Sequence, residues 1–176
     1  MQKKIIIAIS GASGAHIGFN VLKNIPSDMQ KHLVLSDHAK VVLEKETDTK
    51  QYSNSDIGAS IASGSYGADI MMITPCSMNT MAKIACGIAD DLITRAASVM
   101  IKENKKLLLA PREMPFSAIA LENMLKLSRL GVIIAPPVAA YYADGESVDE
   151  MEDFFIGKWF DLLNIEHNLY KRWSSE

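Results

Sequence analysis

The chain has few of the residues that build covalent or metal frameworks. Cys76 and Cys86 are its only cysteines. Their spacing fits neither a C-x-x-C redox motif nor a zinc-ligand pair, so two buried free thiols in a reducing cytoplasm are expected. His16, His32, His38 and His167 show no H-x-x-x-H spacing, and no metal site is expected. No apolar run reaches the roughly 18 residues of a membrane-crossing helix. Lys3 and Lys4 precede an apolar stretch, but it ends in glycines with no cleavage-like region, so it does not read as a secretion signal. Positive charge is not in excess. Eighteen Lys and Arg against 21 Asp and Glu leave a formal net charge of −3, and no basic stripe is interleaved with aromatics, which argues against nucleic-acid binding.

Aromatic residues are also scarce, at 7%, beside a hydrophobic fraction of 48% and ten methionines. The core is therefore aliphatic and Met-rich, and 176 residues suffice for one domain with a sizeable interior. Strand-like runs at Lys4–Ser10, His32–Ser36, Asp69–Pro75, Lys106–Ala110 and Val132–Pro136 alternate with helical patterns. The helices are expected at Ala15–Asn24, Asp37–Glu46, Ser77–Ala85, Leu92–Asn104, Ala118–Arg129 and Val148–Leu163. Near-continuous Ile, Leu, Val and Met mark strands covered on both faces. The alternation predicts an α/β fold, a doubly wound parallel sheet in a three-layer αβα arrangement. Ligands in such sheets sit beyond the carboxyl ends of the strands.

Those ends carry unusual chemistry. The first strand leaves into Gly11-Ala12-Ser13-Gly14. A Gly/Ser turn that enters a helix exposes N–H groups which the helix cannot satisfy, and they suit a phosphate. The spacing is not the dinucleotide G-x-G-x-x-G, and a plain tight turn would look similar. Ser36 ends the second strand and can cap the next helix. Thr74-Pro75-Cys76-Ser77-Met78-Asn79-Thr80 ends the third, Pro111-Arg112-Glu113-Met114-Pro115-Phe116 the fourth, and Pro136-Pro137 the fifth, with Tyr141-Tyr142 shortly after. Each is an ordinary cap or turn taken singly; together on one edge they point to a ligand site.

Arg95 and Lys102 are two helical turns apart and project from nearly the same face. They read either as a solvated basic face or as a clamp on an anion. Arg112-Glu113, held between two prolines, pairs a bidentate guanidinium with a carboxylate suited to proton transfer; a local ion pair is the plainer reading. Lys158 sits among Phe154, Phe155, Trp159 and Leu162, where a lysine ordinarily snorkels to water. Asn54–Tyr66 is rich in Gly, Ser and Ala, and reads as a flap over the site or as an oligomer contact. The aromatic, basic tail around Tyr170 and Trp173 is expected to dock on a neighbouring subunit, with the domain spanning 1–165 and the tail 166–176.

From about residue 4 to residue 165 the chain resembles the UbiX-type flavin prenyltransferases, a branch of the homo-oligomeric flavin-containing decarboxylase-like flavoproteins. The resemblance rests on Ile-Ser-Gly-Ala-Ser-Gly at 9–14, Ser-Gly-Ser at 63–65 and Pro-Cys-Ser-Met-Asn-Thr at 75–80. Further along come Leu-Ile-Thr-Arg-Ala-Ala at 92–97, Arg-Glu-Met-Pro-Phe at 112–116, and Pro-Pro-Val at 136–138 leading to Tyr142. It implies a Rossmann-like, cytoplasmic subunit of a homododecamer with FMN bound between subunits. It also implies metal-independent transfer of a dimethylallyl group from dimethylallyl monophosphate to reduced FMN, for use by a partner UbiD-type decarboxylase. Carried over by position, Gly11, Ala12, Ser13, Ser36, Ser77, Met78, Asn79, Thr80 and Arg112 would hold FMN, with Ser13 near its reacting edge. Glu46 matches a carboxylate around the substrate site. Arg95, Lys102, Glu113, Tyr142 and Lys158 match the pocket for the substrate phosphate. Asn79 stands where many members have Lys, and Ala-Ala-Tyr-Tyr at 139–142 replaces Pro-Ala-Phe-Tyr.

Two rival readings share the fold: an FMN-dependent decarboxylase, for which His16 is the candidate catalytic histidine, and a non-catalytic FMN carrier. A serine hydrolase on Ser13 or Ser77 lacks G-x-S-x-G and a matching His/Asp order.

Overall fold

Ile5, Ile7 and Ile9 face one way along the first strand, Ile6 and Ala8 the other, and all five are fully buried. A strand with two apolar faces must lie in the middle of a sheet covered on both sides. The computed structural model, which describes residues 2–11, 14–36, 49–139 and 147–172, has that arrangement. Its strands are β1 (Lys4–Ile9), β2 (Gln30–Leu35), β3 (Thr49–Ser53), β4 (Ile70–Cys76), β5 (Lys106–Pro111) and β6 (Ile133–Ile134). They form one parallel sheet in the order β3-β2-β1-β4-β5-β6. The described α-helices are α1 (Ala15–Asn24), α2 (Met78–Ala85), α3 (Leu92–Lys102), α4 (Ala118–Arg129) and α5 (Val148–Leu163).

The even residues of β1 pack with α2, α3 and α4, and the odd ones with α1 and α5. The predicted three-layer, doubly wound sheet is therefore what the chain forms. Strand order reverses between β1 and β4, which pair directly from Ile5↔Ile70 to Ala8↔Ile73. A crevice opens at such a reversal, beyond the carboxyl ends of the two strands.

Boundaries differ from expectation where edges are involved. The second strand begins at Gln30, two residues earlier than predicted, because Gln30 N bonds Lys3 O at 2.8 Å. β6 keeps only Ile133–Ile134 of the expected Val132–Pro136, since Pro136 has no N–H to give a ladder. β3 was not anticipated. Its sequence, TKQYS, has no apolar run because an edge strand is half exposed. The helix expected at Asp37–Glu46 lies outside the described residues. Cys76 is buried as expected, and burial pushes its thiol up to about 12. Cys86 is exposed, contrary to expectation: it is the C-cap of α2, where the chain turns into left-handed Gly87 at φ +72°.

Asn54–Tyr66 packs on its own sheet through two 3-10 turns, Ser60–Ala62 and Gly64–Tyr66, with Ile61 buried. His32 of β2 lies beneath, fully buried, with Nδ1 3.2 Å from the Tyr52 hydroxyl and Nε2 3.2 Å from the Tyr66 hydroxyl. The tail folds back on α5. Asp161 accepts hydrogen bonds from Arg172 at 2.7 Å, from the Tyr170 hydroxyl and from His167 Nε2. Burial alone would raise the Asp161 carboxyl, but these three donors hold it well below the usual range. Gly157 makes room for the tail, since a Cβ there would lie 2.5 Å from the Tyr170 ring.

Burial, with Lys50 and Lys4 nearby, lowers the His32 imidazole to about 4. The unfolded chain takes up this proton near pH 6.5, and the folded chain refuses it until about pH 4. The stability from neutral His32 is thus complete above pH 6.5 and is lost as pH falls to 4. Urea unfolding of the wild type should weaken across that window by about 3 kcal/mol more than unfolding of His32→Gln.

Candidate functional site

Two loops meet at the crevice between β1 and β4, and Ser10 ties them. Its N–H donates to Pro75 O at 3.1 Å, and its hydroxyl accepts from Ser77 N at 2.9 Å. The residue is 3% exposed, so these bonds are protected from water. Next along the chain, Gly11 adopts φ +106° and gives its N–H to the Ser36 hydroxyl at 3.3 Å. Ser36, expected as a helix cap, thus supports the first turn from the end of β2.

Gly14 then begins α1 at φ +81°, with no side-chain cap. Only glycine adopts that backbone without strain. A Cβ there would lie 3.1 Å from Arg112 Nε, so the guanidinium at the end of β5 reaches across to the turn after β1. Across the crevice Ser77 caps α2: its hydroxyl accepts from Thr80 N at 3.1 Å and donates to Thr80 Oγ1 at 2.9 Å. Ser77 Cβ lies 3.8 Å from where a Cβ on Gly11 would be. Among the described residues, the N–H groups of Ala15, His16, Met78 and Asn79 meet no protein acceptor. Two helix N-termini with open amides therefore converge from opposite faces of the sheet, the arrangement that binds a phosphate.

Of the predicted residues, the fold gathers Gly11, Ser36, Ser77, Met78, Asn79, Thr80 and Arg112 at this crevice. Ala12, Ser13, Glu46 and Tyr142 lie outside the described residues. Glu113 follows Arg112, exposed, with Oε1 accepting from Met114 N at 3.2 Å. The other cations are dispersed. Arg95 is exposed near the start of α3. Lys102 ends that helix about 10 Å further on, 3.5 Å from Glu103. Lys102 precedes the amino end of β5 and Arg112 follows its carboxyl end, so about 17 Å of strand separates their levels. Lys158 is exposed on α5, across the sheet from α3. Among the described residues, Arg95 and Lys158 have no ion-pair partner. The buried side of α5 is Ile156, Trp159, Phe160 and Leu163, whereas Leu162 is 46% exposed.

His16 is engaged elsewhere. Its Nε2 lies 2.7 Å from Glu152 Oε1, while Asn20 Nδ2 donates to Glu152 Oε2 at 2.7 Å. The triad joins α1 to α5. Reading by residue type assigned no role to Ser10 or Asn54; Ser10 is the last residue of the expected first strand and Asn54 the first of the Gly/Ser/Ala-rich segment, and neither stands out in composition. Asn54 holds the start of α3, accepting from Leu92 N at its carbonyl and from Ile93 N at its side chain.

The family profile described as Flavoprotein matches residues 1–159. Flavin prenyltransferase UbiX of Helicobacter pylori is 47% identical over 97% of this chain and 98% of its own length. A dodecameric FMN-dependent UbiX-like decarboxylase from Escherichia coli superposes with a TM-score of 0.90 at 40% identity, covering 98% of this chain and all of that one. AnUbiX (PadA1), solved with FMN and dimethylallyl pyrophosphate, also gives 0.90, at 36% identity and with full coverage of both chains.

Ser10→Ala should leave the half-buried Ser77 N–H without its protein acceptor. Chemical denaturation should show a loss of about 1 kcal/mol, the low end of the cost of an unsatisfied buried donor.

Proposed function

The chain belongs to the Flavoprotein family, and from that membership we propose that it is a flavin prenyltransferase, moving a dimethylallyl group from dimethylallyl monophosphate to reduced FMN. The observation that carries this reading is the 47% identity to a flavin prenyltransferase along nearly the whole of both chains. The site's own geometry fits the coenzyme. The left-handed glycines and the paired open helix N-termini suit its phosphate, and Arg112 stands over the same turn. FMN supplies the nucleophilic ring that receives the prenyl group.

In this reading Gly11, Ala12, Ser13, Ser36 and the Ser77–Thr80 turn hold FMN, and Ser13 and Glu46 line its reacting side. Breaking the allylic carbon–oxygen bond builds negative charge on the departing phosphate. Arg95, Lys102 and Lys158 receive that charge, Tyr142 orients the phosphate, and Glu113 delivers a proton to it. Among the described residues Arg95 and Lys158 are exposed cations with no ion-pair partner, which supports this role for them. An FMN-dependent decarboxylase or a passive carrier has no use for them, and His16, its ring bonded to Glu152, gives the decarboxylase reading little support.

The dispersal of those cations within one subunit is the argument for a homo-oligomer. Arg95 and Lys102 ride on one face of the sheet and Lys158 on the other, so a phosphate touches all three only where copies meet. An apolar surface lies beside Glu113: Met114 is 90% exposed, and Ile119, Leu121 and Leu125 line the outside of α4. Patches of this kind are what a neighbouring subunit covers. A dodecamer is the assembly proposed, with the tail lying at a subunit boundary and a UbiD-type decarboxylase taking the product. Among the described residues no helix is long and apolar enough to cross a membrane; a cytoplasmic location is proposed from the family.

Incubation with reduced FMN and dimethylallyl monophosphate should raise the flavin mass by one prenyl unit; an unchanged flavin would sink the reading. Glu113→Gln should bind FMN normally and slow product formation by about two to four orders of magnitude. In calorimetric titrations, Arg95→Ala and Lys102→Ala should weaken dimethylallyl monophosphate more than FMN. If copies share the site, co-assembly of Arg95→Ala with Glu113→Gln subunits should recover activity that neither has alone.

A further inference from the structure

The start of α3 differs from those of α1 and α2. All four of its amino-terminal N–H groups are taken up inside the protein. Leu92 N donates to Asn54 O at 2.8 Å, Ile93 N to Asn54 Oδ1 at 2.9 Å, Thr94 N to Asp91 Oδ1 at 2.8 Å, and Arg95 N to Asp91 O at 2.9 Å. Asp91 and Thr94 complete a capping box. None of these four amides is left for an anion, so Arg95, exposed on this turn, is the group that α3 itself offers there.

Two of the four bonds come from Asn54, which is 39 positions from Ile93 in sequence and immediately follows β3. The last residue of β3, Ser53, pairs with Leu35, next to Ser36 at the crevice. One residue, through its carbonyl and its side chain, therefore fastens the first turn of α3 to the carboxyl edge of the sheet. The rest of the helix is held by Ala96, Ala97 and Met100, all within 1% of full burial. Loss of the Asn54 side chain removes the bond to Ile93 N, two residues before Arg95, and leaves the other three bonds of the turn and the body of the helix in place.

We propose that Asn54 is a positioning residue, which sets where the Arg95 guanidinium stands against the phosphate of the prenyl donor. This rests on the prenyltransferase reading above. The test is steady-state kinetics on the full-length oligomer, with dimethylallyl monophosphate varied at saturating reduced FMN. Asn54→Ala should raise the KM for dimethylallyl monophosphate about five- to tenfold, the scale of one lost helix-cap bond, with kcat within about twofold. Its FMN affinity should equal that of the wild type. Asn54→Asp keeps an oxygen acceptor for Ile93 N, and its KM should return to within about twofold of wild type. A purely structural role would lower the active fraction, and so kcat, at constant KM; that result, or an Asp variant as impaired as Ala, overturns the assignment. A wild-type protein that forms no prenylated flavin overturns the reading on which the proposal rests, whereas normal wild-type turnover with an unchanged KM in Asn54→Ala overturns the role of Asn54 alone.

Discussion

The bonding of Ser10 to the loop after β4 is the constraint on which the site depends. Parallel strands β1 and β4 deliver their chains to the same edge, and the chains then leave to opposite faces of the sheet. Unless something holds the two exits together, the helix starts that follow have no fixed relation. The serine does this with its amide and its hydroxyl, using Pro75 O and Ser77 N as partners. With that distance fixed, the open amides of α1 and α2 point into one hollow, and two helix dipoles add where either alone would be modest. Gly11, braced by Ser36, and Arg112, reaching over Gly14, close the remaining sides.

Much of this was legible in the sequence, for identifiable reasons. Strands buried on both faces are written as unbroken aliphatic runs, so β1, β4 and β5 stood out and the layered fold followed. The Gly11–Gly14 turn was legible because positive φ demands glycine. β3 was not, since an edge strand of Thr, Lys, Gln, Tyr and Ser carries no periodic signal. Its place is fixed by non-local partners: the backbone of β2 and the Tyr52–His32 bond. The anchoring of the Asn54–Tyr66 segment was hidden for a related reason. Its small residues left a flap and an oligomer contact equally open; Tyr66 and Ile61 hold it over His32, and a buried histidine with two phenol partners is invisible to local patterning. Ser10 and Asn54 escaped notice because one hydrogen bond to a distant amide leaves no trace in composition.

The cations show the opposite relation between chain and site. Spacing paired Arg95 with Lys102 and the family resemblance added Lys158, yet the fold sends them to different faces and levels of one sheet. Nothing in the fold compels that scatter: helices α3 and α5 each keep an apolar stripe inward, which leaves their charged positions outward by default. Long exposed side chains of this kind lose rotamer freedom only when a partner surface arrives, so the ordering cost falls on assembly and not on folding. The bare apolar flank of α4, next to Glu113, is consistent with a subunit that is finished only in company.

Gly18 of α1 has a wider consequence. A methyl group at this position would meet Thr74 O at 2.5 Å and the Ile9 side chain at 2.6 Å. Main chain thus abuts main chain, and the helix has a depth stop that no side-chain repacking can alter. Substitutions elsewhere in the aliphatic interior can change how tightly the layers cohere without shifting the height of the amide crown above β1. Drift in the hydrophobic residues is therefore decoupled from the geometry that receives the ligand.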